Sequence, residues 1–185
     1  MVSEANRRID EYLVVCARLG DRNAFGRLAV RWQKKLLVHA RRLLQDEEAA
    51  RDAVQEAWAE IVRGISRLQD ERAFATWAFR IVTRRCARHI RRAQRTRRAE
   101  AAPLQEPIVS EGAFGSAEHK HDCDLVRRLV RGLPPQQQAA IALFYLEEMT
   151  VGEVAVALDV PLGTIKTRLM HARYKLRLAI LGEQS

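Results

Sequence analysis

Apolar residues recur at spacings of three and four along almost the whole chain, and strand signals are almost absent. An α-helix turns once in about 3.6 residues, so this spacing gathers the apolar side chains on one face of each segment. The pattern predicts an all-α fold. A first helix is expected over about Glu4 to Leu19, stopped by Gly20 in the left-handed position that favours glycine. Asp21 then caps a second helix carrying Phe25, Leu28, Leu36, Leu37, Leu43 and Leu44. Asp46 opens a third, with Ala50, Val54, Ala57, Trp58 and Ile61 on one face and an end near Gly64.

After a polar loop from Gly64 to Arg72, a long helix is predicted from Phe74 to Arg98. Ala78, Val82, Cys86 and Ile90 form a ridge at four-residue spacing and are expected to pack, while Arg80, Arg84, Arg88 and Arg91 fall on another side. From about Ala93 the apolar spacing fades, and Pro103, Pro107, Gly112 and Gly115 interrupt any regular element, which predicts a flexible linker. Two small helical domains are therefore expected, over 1–98 and 123–185, joined by a linker over 99–122. In the second domain the pattern restarts at Leu125 to Arg131, and Pro134 and Pro135 start a helix through Ile141, Phe144 and Tyr145. Thr150 and Glu153 form a capping box ahead of a short helix, Val151 to Leu158. Asp159 tolerates the left-handed turn needed next, and Pro161 and Gly163 begin a final helix with Ile165, Leu169, Ala172, Leu176 and Ile180 facing inward. Thr150 to Arg173 thus has the pattern of a helix-turn-helix.

Charge narrows the partners. Of the net +9 on 185 residues, residues 1–100 hold 23 basic and 13 acidic side chains, against 9 and 10 in the remainder. Nine arginines and no acid lie between Arg80 and Arg98. The N-terminal half is the stronger attractor for a polyanion. A membrane surface is the other polyanion open to a basic chain, but no stretch approaches the roughly 18 consecutive apolar residues of a spanning helix. The N-terminus lacks the pattern of a signal peptide, so a cytoplasmic location is expected. Cys16, Cys86 and Cys123 are an odd number at wide spacing, which argues against a disulfide framework. Cys16 and Cys86 fall on apolar helix faces and are expected to be buried. His119, His121 and Cys123 form an H-x-H-x-C cluster that lacks a fourth metal ligand, and no metal is expected there.

Guanidinium groups keep their charge and offer forked donors, which suits the row Arg80, Arg84, Arg88 and Arg91 to phosphate. Phe74, Trp77 and Phe79 stand at the start of that helix beside the loop Ser66 to Arg72, and basic residues next to aromatic rings suit unstacked single-stranded bases. Trp77 nevertheless lies near the Phe74 and Ile81 face and is expected in the core. In the helix-turn-helix, Lys166, Thr167, Met170 and Arg173 should be exposed, with Arg168 and His171 partly so. Lys166 can donate to guanine or phosphate, Thr167 can hydrogen-bond or offer its methyl, and Met170 can meet a thymine methyl. Arg168 and Arg173 suit phosphates. No glycine-rich nucleotide loop, HExxH helix or nucleophile elbow occurs, so the chain is expected to bind rather than catalyse, with no cofactor.

The stretches EAARDAVQEAWAEIV and RAFATWAFRIVTRRCARHIRR, within Asp46 to Arg92, resemble region 2 of the bacterial sigma-70-like RNA polymerase initiation factors of the extracytoplasmic function (ECF) type. The stretches LPPQQQAAIALFYLEEMTVGEVAVAL and VPLGTIKTRLMHARYKLR, within Leu133 to Leu178, resemble their region 4. The resemblance implies a division of labour. Asp52, Gln55, Glu56 and Trp58 would bind core RNA polymerase, and the following loop and basic helix would capture the melted minus-ten element. Lys166, Thr167, Arg168, Met170, His171 and Arg173 would read duplex promoter DNA at the minus-thirty-five element. Family membership also implies an anti-sigma factor as a partner. Arg84 and Arg88 replace the asparagine and aspartate common in the family's R-I-A-R-N-x-A-x-D-H-x-R-R stretch, which changes the expected minus-ten base preference and adds positive charge. The competing reading is a stand-alone helix-turn-helix transcriptional regulator whose N-terminal half dimerises.

Overall fold

The computed structural model describes residues 4–99 and 128–182, and every regular element among them is helical. The N-terminal part consists of α1 (Glu4–Arg18), α2 (Arg22–Leu44), α3 (Glu47–Gly64) and α4 (Phe74–Ala99), with two 3₁₀ turns, Ile65–Arg67 and Glu71–Ala73, where the loop was expected. The C-terminal part consists of α5 (Pro135–Tyr145), α6 (Val151–Ala157) and α7 (Leu162–Gly182), preceded by a helical turn over 128–131. The expected linker and the His119, His121, Cys123 cluster lie outside the described residues, apart from Ala99, which ends α4.

Three helices, α2, α3 and α6, start where a side chain takes over an orphaned backbone donor. The amides of Asn23 and Ala24 donate to Asp21 Oδ1 at 2.8 and 3.0 Å, and that of Ala49 donates to Asp46 Oδ1 at 2.8 Å. At α6 the capping box is complete. The Glu153 amide donates to Thr150 Oγ1 at 3.2 Å while the Thr150 amide donates to Glu153 Oε2 at 2.7 Å. Left-handed residues close the turns, Gly20 at φ +95° after α1 and Asp159 at φ 54° after α6.

In the N-terminal part α3 and α4 pack side by side, and α2 lies against both and against α1. An aromatic cluster fills the centre. Trp32 meets Phe74 and Phe79 edge-on at ring separations of 5.2 and 5.7 Å, and His39 meets Phe79 at 5.0 Å. His39 is fully buried, and its Nε2 lies 3.0 Å from Thr83 Oγ1 on α4. Burial, reinforced by the nearby Arg42 charge, lowers its pKa to about 3, so the ring is neutral at pH 7. Trp77 is half-buried, as a core residue at the rim. Its ring passes so close to Gly64 that a Cβ there would lie 2.9 Å from it, which requires glycine at that position.

The C-terminal part is built around α7, which packs on both α5 and α6 through Ile165, Leu169 and Ala172. The two parts share one buried cluster, because α4 also meets α6 and α2 also meets α5. Three expectations of burial fail at the margins. Ile90 is 38% exposed, Ile180 is 36% exposed and Cys16 is only partly buried. Ile90 and Ile180 continue the spacing of their helices past the point where a neighbouring helix covers it, whereas Cys86 is buried and its thiol is pushed up to about 12 by the loss of solvent.

Candidate nucleic-acid and polymerase interfaces

On α4 the four arginines expected to face away from the core do so, with Arg80, Arg84, Arg88 and Arg91 all exposed. The opposite side is held by Ala78, Phe79, Val82 and Cys86, each almost completely buried. The geometry therefore presents guanidinium groups from a helix that the core fixes in place. They differ in their surroundings. Arg80 Nε and Nη2 donate to Asp159 Oδ1 at 3.1 and 2.9 Å, so the first arginine of the row is held by the turn of the helix-turn-helix.

The helix expected to meet polymerase, α3, presents Asp52, Gln55 and Glu56 to solvent. Trp58 is partly buried instead. It packs edge-on against Phe25 at 5.9 Å and its indole Nε1 donates to Gln33 Oε1 at 2.5 Å, so its ring braces α3 against α2. Glu56 has a structural task as well. Arg85 Nη1 donates to it at 3.2 Å, His89 Nε2 lies 3.4 Å away, and Arg85 also pairs with Glu60. The hydrogen bond to Glu60, with that to Glu56, raises the Arg85 pKa further above its ordinary value. Arg85 was not singled out by the periodicity, although Glu56 and Glu60 stand one helical turn apart, where one guanidinium can reach both. A lysine at position 56 would face Arg85 and His89, so charge reversal there would disturb the packing of α3 on α4 as well as any partner.

The second candidate surface is the exposed face of α7. Lys166, Thr167, Met170 and His171 are open to solvent, with Met170 59% exposed. Positions 166, 170 and 173 follow one helical row and 167 and 171 the adjacent one, so the set forms a single face. Thr167 Oγ1 donates to the Gly163 carbonyl at 3.0 Å, so its hydroxyl proton is already engaged within the helix. The two arginines are tied to α5. Arg168 donates to Gln136 Oε1 at 2.6 Å, and partial burial lowers its pKa from the ordinary arginine value. Arg173 Nε donates to the Tyr145 hydroxyl at 2.9 Å and its guanidinium carbon lies 5.6 Å from the Phe144 and Tyr145 ring centres. Both are thereby pre-oriented at the edge of the reading face, where phosphates would lie.

Similarity to known proteins follows the same division. Residues 28–96 match the family model Sigma-70 region 2, and residues 123–176 match Sigma-70, region 4. The chain is 29% identical over 184 residues to the ECF RNA polymerase sigma-E factor of Haemophilus influenzae, covering 91% of this chain and 94% of that one. It is 25% identical over 178 residues to the RNA polymerase sigma-H factor of Pseudomonas aeruginosa, covering 89% and 90%. Among solved structures, CnrH in complex with the cytosolic domain of CnrY superimposes with a TM-score of 0.61 at 24% identity, over 96% of this chain and 99% of that one. The sigma factor RpoE of Bartonella quintana, in complex with the anti-sigma factor NepR, gives 0.65 at 19% identity over 84% and 96%. Those two likenesses concern the fold. With a region 2 helix bundle followed by a region 4 helix-turn-helix, and relatives that align with nearly the whole chain, this protein belongs to the sigma-70 family of RNA polymerase sigma factors, in its ECF group.

Proposed function

We propose that this sigma factor docks on core RNA polymerase through α3, captures the opened minus-ten strand with α4 and the 3₁₀ turns before it, and reads duplex DNA with α7. The observation that carries the reading is the coexistence of two chemically different exposed faces, an arginine row on α4 and a mixed Lys166, Thr167, Met170, His171 face on α7. A phosphate-binding row supplies affinity without base identity, whereas donors and methyls on a helix-turn-helix supply discrimination. The residues assigned are Asp52, Gln55 and Glu56 for polymerase, with Trp58 bracing them. Arg80, Arg84, Arg88 and Arg91 hold the minus-ten region, and Lys166, Thr167, Arg168, Met170, His171 and Arg173 hold the minus-thirty-five region. Two linked readers add their binding energies only when both elements are presented at the right separation.

The protein acts in the cytoplasm as a binder, and among the described residues no helix is long and apolar enough to cross a membrane. An anti-sigma factor restrains it, as suggested by the fold shared with RpoE seen bound to NepR. Run-off transcription from a fragmented genomic library with core polymerase tests the assignment. Promoter-dependent products should appear only when the chain is added. Tight duplex binding by the chain alone, with no product and no association with polymerase, would instead establish the stand-alone regulator.

A further inference from the structure

Arg85 belongs to the arginine run of α4, yet its guanidinium is turned to α3 and not to solvent. Its side chain is 17% exposed, whereas Arg84 and Arg88 are open. Nε donates to Glu60 Oε2 at 3.0 Å, Nη2 donates to the same oxygen, and Nη1 donates to Glu56 Oε2 at 3.2 Å. His89, one turn further along α4, brings Nε2 within 3.4 Å of the other Glu56 oxygen, Oε1. Both oxygens of one α3 carboxylate therefore face groups of α4. The Glu56 side chain is still 47% exposed, so the same carboxylate keeps a side open to solvent. A phosphate could take the Arg85 donors only by displacing two carboxylates.

We propose that Arg85 is a positioning residue for polymerase docking, the α4 guanidinium that fixes the direction in which α3 presents Glu56. The inference rests on the assignment of the Asp52, Gln55 and Glu56 face to polymerase. A glutamate has three rotatable side-chain bonds, and a partner that binds it must freeze them. Arg85 and His89 freeze them beforehand. Glu56 and Glu60 also stand one turn apart on α3, where like charges repel. The forked guanidinium offsets that repulsion and spans both carboxylates, which the single ammonium of a lysine does not do. The role also takes Arg85 out of the set of phosphate-binding arginines, although its residue type and its place in the run would include it. The consequence reaches past α3. Arg85 sits between Arg84 and Arg88 on a helix anchored by Phe79, Val82 and Cys86, so the helix assigned to the minus-ten strand also sets the docking carboxylate. One rigid element thus holds the polymerase face in register with the DNA face.

A double-mutant cycle in the full-length chain, read as equilibrium binding to core polymerase, tests the role. Arg85→Met keeps an unbranched side chain and removes the fork. It should raise the Kd about threefold to tenfold, the effect of freeing one long side chain. Glu56→Gln should weaken binding as well, and adding Arg85→Met to it should weaken binding no further, because Arg85 acts through that carboxylate. Should Arg85→Met fold poorly, Arg85→Lys runs the same cycle with the charge kept and the fork lost. On a bubble-containing DNA duplex, the holoenzyme carrying Arg85→Met should keep the parent's salt slope, whereas Arg84→Ala should lower it by about one phosphate. Additive losses in the cycle would overturn the positioning role, since Arg85 would then act on the whole bundle. A lowered salt slope with Arg85→Met would overturn it too, by making Arg85 a phosphate contact. An unchanged Kd for Arg85→Met, with Asp52→Asn weakening polymerase binding, would overturn it while the docking assignment stands. If Asp52→Asn, Gln55→Ala and Glu56→Gln all bound polymerase as the parent does, the docking assignment itself would fall, and the positioning role with it.

Discussion

The two helices assigned to DNA in the proposed function differ in how the protein prepares them. On α4, Arg84, Arg88 and Arg91 repeat one chemistry along an exposed row, and the preparation lies beneath them in the cluster of Trp32, His39, Phe74 and Phe79. On α7 Lys166, Thr167, Met170 and His171 are four different chemistries, and the preparation lies beside them, where Gln136, Phe144 and Tyr145 hold Arg168 and Arg173. A backbone of identical charges tolerates some slack in its reader, so it is enough that the helix stays put. Base edges do not, so individual side chains must be aimed. Under the proposed assignment, affinity would be built into core packing and discrimination into surface hydrogen bonds.

If this contrast is right, the largest effect comes from below α4. Phe79→Ala should cost about 3–5 kcal/mol in a denaturant titration, and Ile165→Ala beneath α7 about 2–5 kcal/mol. A clearly greater loss at Ile165 would reverse the order of the two foundations. Next, Lys166→Ala should lower discrimination between promoter sequences by about 1–3 kcal/mol, whereas Arg91→Ala should weaken all sequences alike and reduce the salt slope by about one phosphate. Identical sequence profiles for these two variants would erase the distinction between the faces.

A third effect belongs to the core beneath α4, where α2 supplies His39. Because His39 has a folded pKa of about 3, below the ordinary value of 6.5, the unfolded chain binds the extra proton first. Its contribution is therefore intact above pH 6.5 and is lost as pH falls from there toward 3, with a slope of at most about 1.4 kcal/mol per pH unit. His39→Leu should flatten the dependence of melting temperature on pH between 5 and 7, and an unchanged profile would place the acid sensitivity elsewhere. The smallest effect is at the entry to the helix-turn-helix. Thr150→Ala removes one half of the capping box and should cost about 1 kcal/mol, read as a small drop in melting temperature.

Local physics made much of this legible beforehand. Asp21, Asp46, Thr150 with Glu153, and Asp159 act within a few residues of themselves, so sequence neighbours suffice to place them. The outward row on α4 follows from helical spacing alone. His39 was also within reach, since Leu28, Trp32, Leu36 and His39 share one stripe, but a stripe does not say how deep it lies. The contacts between the two parts were not. Arg80 and Asp159 are 79 residues apart and Lys35 and Glu147 are 112 apart, and among 32 basic and 23 acidic side chains no spacing rule selects those partners. Ile90 and Ile180 misled because periodicity records what a helix could bury, whereas burial depends on where its neighbours stop.

The length of α4 has its own implication. Its last fully buried residue is Cys86, yet the helix runs on to Ala99, about 20 Å further at 1.5 Å per residue. Over that span Arg88, Arg91, Arg92 and Arg95 are all exposed, and at steps of three and four residues they stay within an arc of about 100°, so the cations line one side of the rod. Such a spar would carry one charged edge past the bundle and lay it along a strand's phosphates. The direction of that edge would be set by the bundle behind it, so the whole row would meet or miss a strand together.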